Sequence, residues 1–256
     1  MSDASSLALF HLSEMAVAPG RTWGPNVPPL TEELEGLVSM QEAVRPAAFL
    51  VSKKGLLAAP GSTRAWGVPD VPVDAPWADR ARYWDQSPYD GECLCIQLNF
   101  EDIPAAVRRP EWPAVGVLWV TLPLNETWQV RTYFDPRPAA SIVWQPREKT
   151  AGFEWVVADT WAPAIGAAYP ALVGNDYLLD AMEEWVLEHR LYWPEAQRIS
   201  RSALQVGGWV WPCQGDAEAR NADFVCGLFK QAFGDSGEVS VHYTPEKGFF
   251  GFADTH

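Results

Sequence analysis

The sequence has little of what membrane insertion, secretion or nucleic-acid binding requires. No run of about 20 apolar residues is present to span a bilayer. The first residues lack the cationic start of a secretory signal and already carry Asp3. Lys and Arg number 19 against 33 Asp and Glu, and the formal net charge of −14 would repel phosphates and anionic membranes. We therefore expect a cytoplasmic protein with neither nucleic-acid nor membrane partners.

Cysteine and histidine are also scarce, at 4 residues each. Cys93 and Cys95 are one residue apart, but Cys213 and Cys226 form no second half-site of the kind that zinc requires. The histidines stand in no recognisable Ser or Cys setting for nucleophilic catalysis. We therefore predict buried free thiols, no metal, no cofactor and no catalytic residue.

The residues that are abundant indicate a globular domain with a large core. Apolar residues make up 48% of the 256, and 14 of them are tryptophan. A chain of this length forms one large domain or two small ones. Segments with strand-like patterns follow one another closely, and no long helix separates most of them. They are 47–51, 92–100, 115–122, 128–134, 140–144, 153–160, 224–230, 238–243 and a final one in GFFGFA. This order predicts an α+β fold with a mainly antiparallel sheet and a few packing helices.

Three segments outside those strands have a distinct composition. Residues 31–46 carry a helix start at Thr31 and a stop at Pro46, and a polar turn is expected at 53–55. Residues 58–92 are rich in proline and hold three tryptophans, which predicts a long loop packed with its own aromatics. In residues 92–100, strict alternation predicts Leu94 and Ile96 on one face and Cys95 on the other.

Two stretches share an order of elements. STRAWGVPDVP (62–72) precedes the strands at 92–100 and 115–122, and GGWVWPCQGD (207–216) precedes those at 224–230 and 238–243. Together with CLCIQLNFEDIP (93–104), PAVGVLWVTL (113–122) and GDSG (234–237), they resemble the motifs of the YwqG-like family. The residues that carry the resemblance are Gly67, Pro69, Gln97, Gly116, Gly207, Gly208, Pro212, Gln214 and Asp216. We interpret these residues as turn-forming scaffold.

The resemblance implies a single domain over residues 1–256, built from two related halves. Residues 1–60 would supply a helix and a strand, residues 61–160 the first half, and residues 161–256 a shortened second half. The family has no established enzyme activity, and some members are thought to be immunity proteins encoded beside toxins.

The segment 175–193 predicts an amphipathic helix with one strongly acidic side. At about 100° per residue, its acids fall in one arc of about 140° with no base among them. Residues 151–256 carry most of the surplus negative charge, with 15 acids against 6 bases. We predict that this side docks a basic protein, a cognate toxin domain, through Tyr177, Asp180, Glu183, Glu184, Leu187 and Glu188.

Two other functions stay open at this level. The acids Asp85, Asp90, Glu92, Glu101 and Asp102 lie near tryptophans, as in an enzyme that acts on a glycan or a polar small molecule. The acidic helix is also compatible with a housekeeping protein whose charge only keeps it dissolved. Convergent acids beside tryptophan rings would favour the enzyme, and a broad acidic face would favour binding.

Overall fold

The computed structural model describes residues 34, 44–81, 92–123, 129–146, 151–162, 172, 174–188, 204–210, 217–228 and 237–255. The strands within these ranges are β1 (Val44–Leu57), β2 (Arg64–Ala65), β3 (Glu92–Asn99), β4 (Val117–Pro123), β5 (Arg131–Asp135), β6 (Ala151–Trp161), β7 (Leu204–Gly207), β8 (Phe224–Leu228), β9 (Gly237–Thr244) and β10 (Gly248–Thr255). The helices are α1 (Ala78–Ala81), α2 (Asp176–Glu188) and α3 (Ala217–Ala222). Short 3-10 turns occupy Phe100–Asp102 and Ala139–Ser141.

The strands form two antiparallel sheets. The larger has the order β10-β9-β8-β7-β1-β6, and the smaller has the order β2-β3-β4-β5. Each pairing within these sheets is antiparallel. The sheet-rich α+β class predicted from the short strand spacing is therefore confirmed.

The main hydrophobic core brings both sheets together. β1, β7, β8 and β9 contribute from the larger sheet, while β3 and β4 contribute from the smaller. Its buried members include Leu50, Ile96, Val120, Val206 and Val241. A second cluster, which includes Leu94, Trp119 and Ile142, packs against Trp77 and Trp144. Trp77, in the loop predicted to pack with its own aromatics, has its ring 4.8 Å from that of Trp119 in β4, outside that loop.

The strict alternation predicted for residues 92–100 is wrong at one position. The register between β3 and β4 shifts between Leu94 and Ile96, which places a β-bulge at Cys95. A bulge inserts one residue and reverses the side to which the following residues point. Cys95 and Ile96 therefore both belong to the main core, whereas Leu94 belongs to the second cluster.

Three local predictions are also corrected. The segment 140–144 is no strand, because Ala139–Ser141 is a 3-10 turn after Pro138 and Trp144 forms only an isolated bridge. The turn expected at 53–55 lies within β1. β1 begins at Val44, so the helix predicted for 31–46 does not extend to Pro46; residues 35–43 of that helix lie outside the described residues.

The chain contains the same four-strand arrangement twice. β2-β3-β4-β5 and β7-β8-β9-β10 are both consecutive antiparallel meanders, with a short helix after the first strand of each. The register shift in β3 between Leu94 and Ile96 recurs in β8 between Phe224 and Cys226. β6, placed by the sequence at the end of the first half, pairs with β1 in the larger sheet.

Of the helices in the described residues, none combines the length and the apolar character needed to cross a membrane.

Candidate functional site

The helix predicted at 175–193 is present as α2 over Asp176–Glu188. Asn175 caps its first turn, because its side-chain oxygen accepts a hydrogen bond of 3.3 Å from the Leu178 amide. Asp176 in the first turn favours the positive end of the helix dipole. The preceding Gly174 has a φ of 83°, a left-handed conformation that turns the chain into the helix.

The two sides of α2 differ in burial as the amphipathic pattern predicts. Met182 and Trp185 are buried, at 0% and 4% exposure. Asp180, Glu183 and Glu184 are exposed, and Tyr177 beside them is 67% exposed. None of these three carboxylates has an ion-pair partner in the described part of the chain. The side chains of Leu187 and Glu188 lie outside what the structure describes.

The GGWVW stretch forms a tight, hydrogen-bonded turn at the end of β7. Gly207 and Gly208 have φ values of 65° and 76°, so both adopt the left-handed conformation that glycine favours. A Cβ on Gly208 would lie 2.5 Å from the Thr160 hydroxyl oxygen. The Gln205 amide donates to the carbonyls of Gly207 and Trp209, at 3.0 and 2.9 Å. Gly207 and Gly208 therefore form a turn of the fold; Pro212, Gln214 and Asp216 lie outside the described residues.

Gln97, one of the motif residues, belongs to a buried polar network with Arg64 and Asp70. The Asp70 carboxylate accepts hydrogen bonds from the Gly61 amide at 2.7 Å, Arg64 at 2.5 Å and Gln97 at 2.9 Å. The Gln97 side-chain oxygen in turn accepts from the Asp70 amide and from the Trp119 indole. The side chains of Arg64, Asp70 and Gln97 are at most 3% exposed, and the Asp70 carboxylate and the Gln97 amide are engaged by groups of the protein itself.

Of the other motif residues, Pro69 directly precedes Asp70, while Gly67 and Gly116 have positive φ values. Trp66 and Gly67 have φ values of 61° and 83°, so this turn repeats the consecutive left-handed pair of Gly207 and Gly208. Trp66 therefore adopts a conformation that glycine favours. Gly116 has a φ of 115°, and a Cβ there would lie 2.6 Å from the Asp135 carbonyl oxygen.

Of the five acids expected near tryptophans, the three that the structure describes do not converge on one place. Glu92 pairs with Arg131 at 3.0 Å, at the start of β3. Glu101 and Asp102 follow the far end of that strand, where Glu101 accepts from the Ala139 amide and Asp102 from the Thr63 amide. Eight strand residues separate the two ends, which is a distance of about 25 Å. Asp85 and Asp90 lie outside the described residues.

A serine–histidine contact that the sequence did not reveal lies on β9. His242 Nε2 is 3.2 Å from the Ser240 hydroxyl oxygen, which also accepts from Arg220 at 3.1 Å. Burial, and then the positive charge of Arg220, lower the pKa of His242 from 6.5 to about 4. Ser240 and His242 are 3% and 1% exposed. The histidine is neutral at pH 7, and the Ser240 hydroxyl is already held between Arg220 and His242.

The three cysteines that the structure describes are buried as predicted, and Cys213 lies outside the described residues. Cys93, Cys95 and Cys226 are free thiols with at most 5% exposure. Burial raises the pKa of Cys226, and a hydrogen bond with Cys93 together with burial raises that of Cys95. Neither is a reactive thiolate at neutral pH. In the described ranges, no three His, Cys, Asp or Glu side chains are grouped so that they could hold a metal ion.

An arginine–tryptophan cluster, which sequence reasoning also missed, lies beside the GGWVW turn. The Arg45 guanidinium carbon is 3.5 Å from the centre of the Trp209 ring, and that of Arg109 is 5.6 Å from the centre of the Trp112 ring. Thr160 links Arg45 to Trp209, because its hydroxyl donates to the Arg45 carbonyl at 2.8 Å and accepts from the Trp209 amide at 2.6 Å. Arg45 stood at the end of a predicted helix, so nothing in the local pattern marked it.

The charged form of both arginines in this cluster is disfavoured by their surroundings. Burial, and then the charge of Arg109, lower the pKa of Arg45 to about 10. Burial also lowers the pKa of Arg109, against the opposing effect of Glu111 and Asp223. Neither arginine forms an ion pair with a carboxylate in the residues that the structure describes.

The chain matches no model of a known protein family, no curated protein and no solved structure. The likeness to the YwqG-like family thus depends on the quoted motifs alone.

Proposed function

We propose that this protein is a cytoplasmic protein-binding module that docks a basic partner through the acidic side of α2. The observation that supports it most is the contrast along this one helix. Three exposed carboxylates, Asp180, Glu183 and Glu184, have no counter-charge among the described residues, while the opposite side is buried through Met182 and Trp185.

The arrangement suits recognition because it combines charge with an anchor. Asp180 and Glu184 are four residues apart, and a like-charged pair at this spacing costs an isolated helix about 0.2–0.5 kcal/mol. Tyr177 is 67% exposed next to them and supplies a large amphipathic ring, of the kind enriched at binding hot spots. Lysines and arginines of a partner would relieve the repulsion and accelerate encounter.

The role as an immunity protein that neutralises a cognate toxin rests on the resemblance to the YwqG-like family. That resemblance includes two related half-domains, which we also propose for this chain. The repeated meander, the matching register shifts in β3 and β8, and the left-handed pairs after β2 and β7 support the duplication.

The test is affinity capture from a lysate of the native cells, followed by binding kinetics with the protein captured. The decisive variant is Asp180→Lys with Glu184→Lys, and Glu246→Lys is the control because Glu246 is an exposed acid in the turn between β9 and β10. We expect a basic protein that is retained at low salt, released at high salt and lost with the double variant.

The same experiment contains the results that would reject the function. Capture that is equal for the double variant and the wild type would show that α2 is not the docking surface. Capture of only neutral or acidic proteins would remove the charge argument as well. Tyr177→Ala separates the anchor from the charges, because it should increase the dissociation rate with little change in salt dependence.

A further inference from the structure

The cluster of Arg45, Arg109, Trp112 and Trp209 has hydrogen-bonding capacity that the protein leaves unused. Arg109 Nη2 and Trp209 Nε1 are buried atoms without a hydrogen-bond partner in the described part of the chain. Buried donors are nearly always satisfied, because each one left without an acceptor costs free energy. Trp209 is only 3% exposed, so surface water does not compensate for its missing acceptor.

Glu111 and Asp223 act favourably on the charge of Arg109, but Arg45 has no such compensation in the part of the chain that the structure describes. Arg45 feels the repulsion of Arg109 and no attraction from a carboxylate among the described residues. This is unusual in a chain with 33 acids and a net charge of −14. Two guanidinium groups placed together in a partly desolvated setting are stable when an anion lies between them.

We propose that Arg45, Arg109 and the Trp209 indole N–H form a binding site for a small oxyanion, the carboxylate or phosphate group of a metabolite. A guanidinium presents paired N–H donors that match the oxygens of either group. The indole N–H lies at the rim of the ring on which Arg45 stacks, so it adds a neutral donor beside the first cation. Trp112 provides an aromatic wall beside Arg109.

The fold holds these groups in place before any ligand arrives. The Arg109 side chain donates to the Ala222 carbonyl at the end of α3, at 3.3 Å. Val210, next to Trp209, is held by Asn221 of the same helix, which accepts from its amide at 2.7 Å and donates to its carbonyl at 2.8 Å. A Cβ on Gly207 would lie 2.6 Å from Val107, so only glycine allows the turn to approach the loop that carries Arg109. Preorganisation of this kind lowers the entropic cost of binding.

The test uses the full chain and two simple anions, inorganic phosphate and acetate, at ionic strength held constant with sodium chloride. Isothermal titration and the shift in Tm report binding, since a ligand that binds only the native state raises Tm. We expect one of the two anions to bind, and the one that binds more tightly identifies the group. Arg45→Gln should weaken binding about tenfold, because it removes a charge-assisted bond. Trp209→Phe keeps the ring and should weaken binding about fivefold through the lost N–H.

Lys247→Gln serves as the matched control, because it removes one exposed positive charge in the turn between β9 and β10. It should bind the anion as the wild type does. Equal affinity in Arg45→Gln, Trp209→Phe and Lys247→Gln would overturn the proposal, and so would the absence of binding by either anion. The readout is independent of any protein partner, so its failure leaves the role of α2 to be judged separately.

Discussion

The substitution Asp70→Ala should destabilise the protein far more than Asp74→Ala, although both aspartates pair with an arginine and lie four residues apart. Asp70 and its partner Arg64 are 1% and 3% exposed. Asp74 and its partner Arg137 are 56% and 42% exposed, with their charged atoms 2.7 Å apart. The two variants therefore compare the same chemical change at a buried ion pair and at a solvent-exposed one.

The size of the destabilisation follows from the groups that lose their partner in Asp70→Ala. Its carboxylate accepts from Arg64, Gln97 and the Gly61 amide, so its loss exposes a buried cation and two buried donors to an apolar setting. Removal of one partner from a buried ion pair costs about 3–5 kcal/mol. That is a large part of the 5–15 kcal/mol that is usual for a domain. Asp74→Ala should produce no resolvable change, because exposed pairs contribute little.

Urea unfolding measures both variants, with tryptophan fluorescence and circular dichroism as independent probes of a two-state transition. Asp70→Asn provides a volume-matched intermediate that removes the charge and keeps the shape. Equal midpoints for Asp70→Ala and Asp74→Ala would refute the reasoning, since they would mean that burial does not decide the worth of these pairs.

Three further outcomes are expected. Burial and a neighbouring arginine hold the pKa of His242 at about 4, below the ordinary 6.5, so between these values the unfolded chain binds a proton that the native state does not. The free energy of unfolding should therefore decrease by up to about 3 kcal/mol as the pH falls through this range. His242→Gln should flatten that part of the pH profile of unfolding. Gly67→Ala should cost about 1–2 kcal/mol for its left-handed φ alone, whereas Gly208→Ala should cost clearly more in the same urea assay because its Cβ also meets a threonine hydroxyl at 2.5 Å. Asp180→Lys should leave Tm unchanged or slightly raised, as it replaces a repulsion with Glu184 by an attraction; a marked fall would mean that Asp180 is structural.

The elements with a long, regular pattern were predictable from the sequence. α2 has a repeat of apolar positions over several turns, and its buried side at Met182 and Trp185 is the one that the pattern indicates. The alternation in β3 failed at Cys95 because a bulge depends on the pairing with β4. A cysteine that fits either face carries no signal of such a shift. Residues 140–144 failed because Pro138 starts a 3-10 turn and overrides an apolar run.

The candidate binding groups were predictable only where they lie within one element. The acids of α2 follow from helical periodicity alone. Arg45 comes from a strand and Arg109 from a distant loop, and only the fold brings Arg45 over Trp209 and within electrostatic reach of Arg109. The local patterns around them, a proline-flanked strand start and a polar loop, are found throughout the chain.

The arginine–tryptophan cluster and the acidic side of α2 differ in how much a missing counter-charge costs. Arg64, Arg131, Arg137 and Arg220 each meet an aspartate or a glutamate. Arg45 meets none among the described residues, although acids outnumber bases by 14 in the sequence. Exposed carboxylates such as those of α2 remain hydrated at little cost, so their lack of partners is compatible with solvation alone. A half-buried guanidinium that repels its neighbour has no such compensation, because burial penalises the charged form. The missing counter-charge is therefore a stronger sign of a ligand at the arginine–tryptophan cluster than at the acidic helix.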